Sequence, residues 1–116
     1  MLNRSAIILR YKEPAIRYIN DADPVKGSAV VTVTDTYQDR TIYLIPDEDA
    51  DDQDALDRWV HKNYKRLFEM ELSDWYTDPS LFPKNLTLDL FHEWFEVECH
   101  SVVMDTVGGE IYDDEI

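Results

Sequence analysis

The chain has 116 residues, of which 44% are hydrophobic and 31% are charged, and its formal net charge at pH 7 is −14. This length corresponds to one domain with one core, and the hydrophobic content excludes a disordered chain, which combines low hydrophobicity with high charge. The charge excludes nucleic acid and anionic membranes as direct partners, because an acidic surface repels both.

The first 45 residues predict three strands and one short helix. The strands are residues 5–11, 29–34 and 41–45, and the helix begins near Pro14. Consecutive apolar residues in the first and third strands indicate burial on both faces, as in the middle of a sheet. Alternating β-branched residues in the second strand indicate an edge strand with one buried face. The polar residues 35–40 are expected to form a hairpin loop.

A long helix is predicted after the densest charge run, residues 47–57, in which seven of eleven residues are acidic. Carboxylates there oppose the positive end of a helix dipole, and apolar residues from Leu56 to Leu67 keep helical spacing. The far side of this helix carries four basic residues: Arg58, Lys62, Lys65 and Arg66. We interpret them as ordinary helix surface; they could also meet an acidic partner or the 47–57 run of another copy.

Residues 73–84 are expected to form a connection that packs on the core, because two prolines interrupt a segment that is rich in aromatic residues. Trp75 and Tyr76 are the strongest candidates there for a recognition surface, since Trp and Tyr dominate interface hot spots. Core packing is the alternative role for both side chains.

Residues 85–106 predict a helix that turns directly into a strand. Thr87 is the expected N-cap, with Leu86 and Phe91 packing across it as a hydrophobic staple. The apolar half of this helix continues to Val97, so we expect the helix to end there and the strand to begin at Cys99. On that strand, His100 lies among apolar neighbours.

The order of elements predicts an α+β fold: a four-stranded antiparallel sheet, ferredoxin-like βαββααβ, with its helices on one face and strand order 4-1-3-2. Residues 1–109 form the single domain. Residues 110–116 are expected to be a mobile acidic tail after the break at Gly108 and Gly109.

Metal and cofactor motifs are incomplete in the sequence. A calcium loop could start at Asp47, but Asp52 and Arg58 occupy the positions where that loop needs Gly and Glu. His92 begins a zinc-peptidase motif, but Glu96 replaces its second His. We therefore expect no cofactor and no resident metal.

Cysteine content and the N-terminal sequence bear on the compartment. A single cysteine, Cys99, forms no internal disulfide, and its acidic neighbours oppose a reactive thiolate. The apolar run at residues 6–9 is too short for a signal peptide. A cytoplasmic protein is predicted.

Several short segments resemble those of a bacterial family of short, acidic proteins of unknown function. They are Asn3-Arg4-Ser5, Pro14 with Ile19-Asn20, Thr41-Ile42-Tyr43-Leu44-Ile45-Pro46, Trp75-Tyr76-Thr77-Asp78-Pro79, Phe82-Pro83, and Phe91 with Trp94-Phe95 and His100-Ser101. The resemblance implies a bacterial cytosolic protein and supplies no activity or catalytic residue.

The leading hypothesis is a non-enzymatic, acidic binding or regulatory module that engages a protein partner. The negative charge favours a basic protein as the partner, and an acidic surface of this kind can imitate nucleic acid. Self-association into a homodimer is a further expectation. The candidate binding residues are Trp75, Tyr76, His100 and Asp105.

Two alternatives remain. One is a small enzyme with a cleft between residues 75–83 and the strand that carries His100 and Asp105, which requires the four candidate residues to converge. The other is a metal-binding protein, which requires stabilisation by zinc or calcium.

Overall fold

The computed structural model describes residues 1–22, 32–36 and 40–113. Its strands and helices are β1 (Arg4–Tyr11), α1 (Glu13–Ala22), α2 (Val33–Thr36), β2 (Tyr43–Pro46), α3 (Gln53–Trp75), α4 (Leu88–Trp94) and β3 (Phe95–His100). Short 3-10 turns at Asp47–Ala50 and Pro79–Leu81 precede α3 and α4.

The described strands form one antiparallel sheet with β1 in the middle, in the order β2-β1-β3. Ile7 of β1 pairs with Tyr43 of β2 on one side and with Cys99 of β3 on the other. The apolar face of the sheet packs against the helices, and its buried side chains join one core. The centre of that core is built from Phe68 of α3 and Phe91 of α4, both fully buried.

The α+β class is confirmed, but the prediction of a four-stranded, ferredoxin-like sheet is wrong, because the described residues form three strands. Residues 29–31 of the predicted second strand lie outside the described residues, and the chain at Val33–Thr36 is helical. Thr32 and Asp35 form a capping box there: the Asp35 carboxylate accepts the Thr32 backbone N–H at 2.8 Å, and Thr32 Oγ1 accepts the Asp35 N–H at 3.3 Å. These local hydrogen bonds favour a helix start over a strand.

The boundary between the last helix and the last strand also differs from the prediction. Helix α4 ends at Trp94, three residues before Val97, and β3 runs from Phe95 to His100 instead of beginning at Cys99. Phe95 pairs with Tyr11 of β1 and is buried in the core. Phe95 and Val97 fit the apolar half of the predicted helix, and they also alternate with Glu96 and Glu98 as in a strand. Pairing with β1 selects the strand.

The predicted N-cap of α4 is confirmed: Thr87 Oγ1 accepts the backbone N–H of Leu90 at 3.1 Å. We expect Thr87→Ala to lower the free energy of unfolding by about 1 kcal/mol, because that N–H loses its partner. Urea denaturation measures the change. Thr106→Ala, at an exposed position outside the helices, is the control and should change stability by less than about 0.5 kcal/mol. Equal effects of the two variants would contradict the capping role.

The segment after β3 has no regular secondary structure up to Asp113 and is exposed along most of its length. The Leu2 backbone N–H donates to the Val103 carbonyl at 2.7 Å, which fixes the start of this segment beside the N-terminus. Residues 114–116 of the predicted tail lie outside the described residues. In the described part of the chain, no helix is long and apolar enough to cross a membrane.

Candidate functional site

A cleft of about 660 Å³ opens between the end of β1, the C-terminal end of α3 and the segment that leads into β2. The described residues that line it are Leu9, Tyr11, Asp35, Thr36, Arg40, Thr41, Glu71, Asp74 and Trp75. Its walls therefore combine carboxylates with aromatic rings, on a chain whose net charge is −14.

A hydrogen-bond network connects the buried carboxylate of Glu71 to the partly exposed indole of Trp75. The Tyr11 hydroxyl donates to Glu71 Oε1 at 2.7 Å, and the Tyr43 hydroxyl donates to Glu71 Oε2. The indole N–H of Trp75 donates to the Tyr11 hydroxyl oxygen at 2.9 Å. Both oxygens of one buried carboxylate thus accept a phenol, and one of these phenols also holds the indole of Trp75.

Glu71 is buried because it lies on the apolar stripe of α3. Its neighbours on that stripe, Phe68 and Leu72, are almost fully buried, and only 6% of Glu71 is exposed. A buried carboxylate is costly unless hydrogen bonds replace its water. Tyr11 and Tyr43 supply those bonds from two adjacent strands, because both side chains point to the core face of the sheet.

Burial raises the pKa of Glu71 above its ordinary value, and the negative charge of Asp74 adds to the rise, while the hydrogen bonds from Tyr43 and Tyr11 oppose it. Burial likewise raises the pKa of Tyr11 and of Tyr43, and the adjacent Glu71 raises both further. The two phenols therefore keep their protons at neutral pH and act as donors to Glu71. Because Tyr11 accepts from Trp75, its own proton is directed to Glu71.

The mouth of the cleft is acidic. Asp74 is exposed, and its Oδ2 accepts the Thr41 hydroxyl at 3.4 Å, a long hydrogen bond. Arg40 also lines the cleft. The pKa of Glu98 is lowered first by its hydrogen bond with His100, against the opposing effect of desolvation, and then by the charges of His100, Arg40 and Arg10. The described lining has three carboxylates and one guanidinium.

Trp75 forms a fixed aromatic wall of the cleft. Its ring stands edge-on to Tyr11 at a centroid distance of 6.1 Å, and Tyr11 stands edge-on to Phe95 at 5.0 Å. These contacts, with the N–H bond to Tyr11, hold the indole in one orientation. The side chain is nevertheless partly exposed, so an incoming ligand can contact it.

Of the residues predicted as binding candidates, Trp75 lies in this cleft and Tyr76 lies beside it in the core. Tyr76 is only 9% exposed, and its hydroxyl donates to the Ile19 carbonyl at 2.6 Å, which joins the end of α3 to α1. Tyr76 therefore has a structural role: it attaches the segment after α3 to α1.

His100 lies toward the other end of β1 from Tyr11, and Asp105 follows β3 in the irregular segment. His100 pairs with Ala6, five residues along β1 from Tyr11, a separation of roughly 16 Å at about 3.3 Å per residue. Its ring Nε2 lies 2.8 Å from the Glu98 carboxylate. Asp105 is exposed and accepts the Val107 backbone N–H at 2.8 Å. The described residues therefore do not bring these two side chains into the cleft that Trp75 lines.

Potential metal ligands and the single cysteine were two further candidates for chemistry. Among residues 1–22, 32–36 and 40–113, no group of three or more His, Cys, Asp or Glu is arranged to hold a metal ion. Cys99 is half-buried, and burial raises the pKa of its thiol, which disfavours the reactive thiolate.

The chain matches no protein-family model, no curated protein and no solved structure. The resemblance to a bacterial family of acidic proteins therefore stays a prediction.

Sequence reasoning missed the network beneath Trp75, although one indication was present. Glu71 follows Phe68 by three residues and Leu67 by four, which places a carboxylate on the buried stripe of a long helix. A carboxylate in that position needs hydrogen-bond donors from elsewhere in the fold. The sequence does not show which strands supply them, so Tyr11 and Tyr43 could not be assigned.

Proposed function

We propose that this protein is a non-enzymatic binding module that takes a basic segment of a protein partner into the cleft at Trp75. The observation that carries the proposal is that the exposed Asp74 carboxylate and the fixed indole of Trp75 line the same cleft. Carboxylates and aromatic faces are the two kinds of group that attract an organic cation.

The overall charge supports the same kind of partner. A net charge of −14 creates a negative field that raises the encounter rate with a basic surface. Salt screens this field, whereas contact with Trp75 is short-range and depends much less on salt. A cationic partner would therefore be steered by the whole chain and retained at the cleft.

Glu71 supports the site in this proposal and does not act on a substrate. Both of its carboxylate oxygens already accept tyrosine hydroxyls, and it is almost completely buried. A general base needs an oxygen that can reach the substrate proton. Glu71 instead fixes Tyr11, and Tyr11 fixes Trp75.

The location that we propose is the cytoplasm, where an unpaired cysteine such as Cys99 is the ordinary state. Basic proteins that bind nucleic acid are partners of suitable charge in that compartment. Imitation of nucleic acid is one version of the proposed function, and it predicts that DNA competes with this protein for such a partner.

The test uses a short peptide that alternates arginine and lysine with glycine, titrated calorimetrically at low and at moderate salt. We expect binding that weakens as salt rises, because ions screen the exposed charges. Asp74→Asn should weaken binding by about fivefold, since an exposed ion pair contributes up to about 1 kcal/mol. Glu69→Gln is the matched control: it removes one exposed charge from the same helix, more than a third of a turn away around the axis.

Two results would contradict the proposal. If both variants weaken binding equally, the peptide responds to diffuse charge and not to the cleft. If a peptide in which glutamate replaces each basic residue binds as well, charge complementarity is not the basis of recognition.

A further inference from the structure

Building on the proposed function, we infer that the cleft selects arginine over lysine, with the guanidinium lying over the indole of Trp75 beside the carboxylate of Asp74. The inference concerns which basic side chain is accepted, and it follows from how the two adjacent residues are held. The inference names arginine as the residue of the partner that contacts the cleft.

The first reason is the shape of the wall. Trp75 presents a flat, partly exposed ring whose orientation is fixed by its N–H bond to Tyr11 and by edge-on packing. A guanidinium is planar and weakly hydrated, so it stacks on an indole at little desolvation cost. A lysine ammonium is compact and strongly hydrated, and it gains less from the same surface.

The second reason is the position of the carboxylate. Asp74 precedes Trp75 in the chain, is exposed, and lines the same cleft. Its described hydrogen bond, with the Thr41 hydroxyl, is long at 3.4 Å and weak enough to be exchanged. A guanidinium can stack on a ring while its edge donates two parallel hydrogen bonds to one carboxylate. An ammonium cannot make this pair of contacts with the same geometry.

The third reason is the support beneath the wall. Tyr11 accepts a hydrogen bond from the Trp75 N–H and donates one from its hydroxyl to Glu71, which also accepts the Tyr43 hydroxyl. The indole is therefore fixed before a ligand arrives, which reduces the entropy lost on binding. Tyr11 is a positioning residue in this scheme, because it acts on the ligand through Trp75.

The experiment compares three otherwise identical glycine-rich peptides that carry arginine, lysine or citrulline at the centre. Citrulline keeps the shape of arginine and removes its charge. Binding is followed through the indole N–H signals of the three tryptophans in a two-dimensional NMR spectrum, with Trp75 assigned from Trp75→Phe. We expect arginine to bind about three to ten times more tightly than lysine, citrulline to bind weakest, and the Trp75 signal to shift most.

Tyr11→Phe tests the positioning role. It leaves the net charge unchanged and removes the acceptor of the Trp75 N–H, so the arginine-to-lysine ratio should fall toward one. Tyr64→Phe removes one hydroxyl from a half-buried tyrosine of α3 that is not among the cleft-lining residues; it should leave the ratio unchanged. Should Tyr11→Phe fail to fold, the ratio measured on the unaltered protein still decides the inference.

Equal affinity for arginine and lysine would overturn the inference, and so would shifts confined to the signals of Trp59 or Trp94. With equal affinities, binding that shifts the Trp75 signal and weakens with salt would leave the proposed function standing. Shifts confined to Trp59 or Trp94 would place the peptide outside the cleft and would contradict the proposed function as well. If none of the basic peptides binds at low salt, both the proposed function and the inference fail.

Discussion

Replacing Tyr43 with phenylalanine is expected to lower the free energy of unfolding by about 1.5–3 kcal/mol, the usual contribution of a hydrogen bond to a charged group. Tyr43 is only 9% exposed, and its hydroxyl donates to Glu71 Oε2. The substitution removes one oxygen and keeps the ring, so core packing is preserved. Glu71 stays buried and loses one of the two donors that replace its water.

Urea denaturation at neutral pH measures this change, and Tyr64→Phe is the matched control. Tyr64 is half-buried, and its ring packs edge-on against Phe91. Loss of that hydroxyl should change stability by less than about 0.5 kcal/mol. If both variants lower the free energy of unfolding by the same amount, the hydrogen bond from Tyr43 to Glu71 contributes no more stability than the hydroxyl of the half-buried Tyr64. The proposed support of the cleft would then be wrong.

A double-mutant cycle identifies the partner. If Tyr43 acts through the Glu71 carboxylate, the loss caused by Tyr43→Phe should be smaller in a Glu71→Gln background, because a neutral amide is a weaker acceptor. Additive effects would show that the two residues stabilise the fold independently.

The elements that could be predicted from the sequence are those with a complete local pattern. The long helix α3 and the N-cap at Thr87 depend on residues within one or two turns of each other, and both are present. The two strands that flank β1 were also correctly chosen as its neighbours. Consecutive apolar residues in the first strand predict burial on both faces and a central position, and β1 has that position. The same prediction is wrong for residues 41–45, because β2 is an edge of the described sheet, with Ile42 60% and Leu44 50% exposed.

The errors have a common cause: two structures compete for the same residues. At residues 32–36, β-branched side chains favour a strand, while Thr32 and Asp35 can cap a helix, and the cap decides. At Phe95, the apolar spacing suits both a helix and a strand, and pairing with Tyr11 decides. The capping box was visible in the sequence, whereas the strand pairing was not.

The candidate site was predictable only in part. Trp75 was chosen because tryptophan is frequent in recognition surfaces, and it lies in the cleft. His100 and Asp105 were placed by strand alternation, which indicates the face of a sheet but not the position along it. The support of Trp75 joins residues 60 and 64 positions apart, Tyr11 with Glu71 and Tyr11 with Trp75, and no local pattern reveals such a pairing.

The second large effect is expected in the pH dependence of stability. Burial raises the folded-state pKa of Glu71 above its ordinary value of 4.5, so the folded protein holds this proton more tightly than the unfolded chain. The stabilisation from that proton is fully present below about pH 4.5 and is lost as the pH rises through the raised pKa. Glu71→Gln removes this loss, so its stability relative to the unaltered protein should increase with pH across that interval and then remain constant.

Glu69→Gln separates this effect from the general influence of net charge. It removes the same charge from an exposed position on the same helix, so its stability difference from the unaltered protein should vary much less with pH. Parallel curves for the two variants, measured by urea denaturation from pH 4 to about pH 8, would show that Glu71 ionises as an exposed carboxylate does.

Tyr43→Phe tests whether the hydrogen-bond network sets the pKa of Glu71. Because the Tyr43 hydrogen bond favours the ionised carboxylate, its loss should move the Glu71 transition to higher pH, and a shift to lower pH would contradict the network itself.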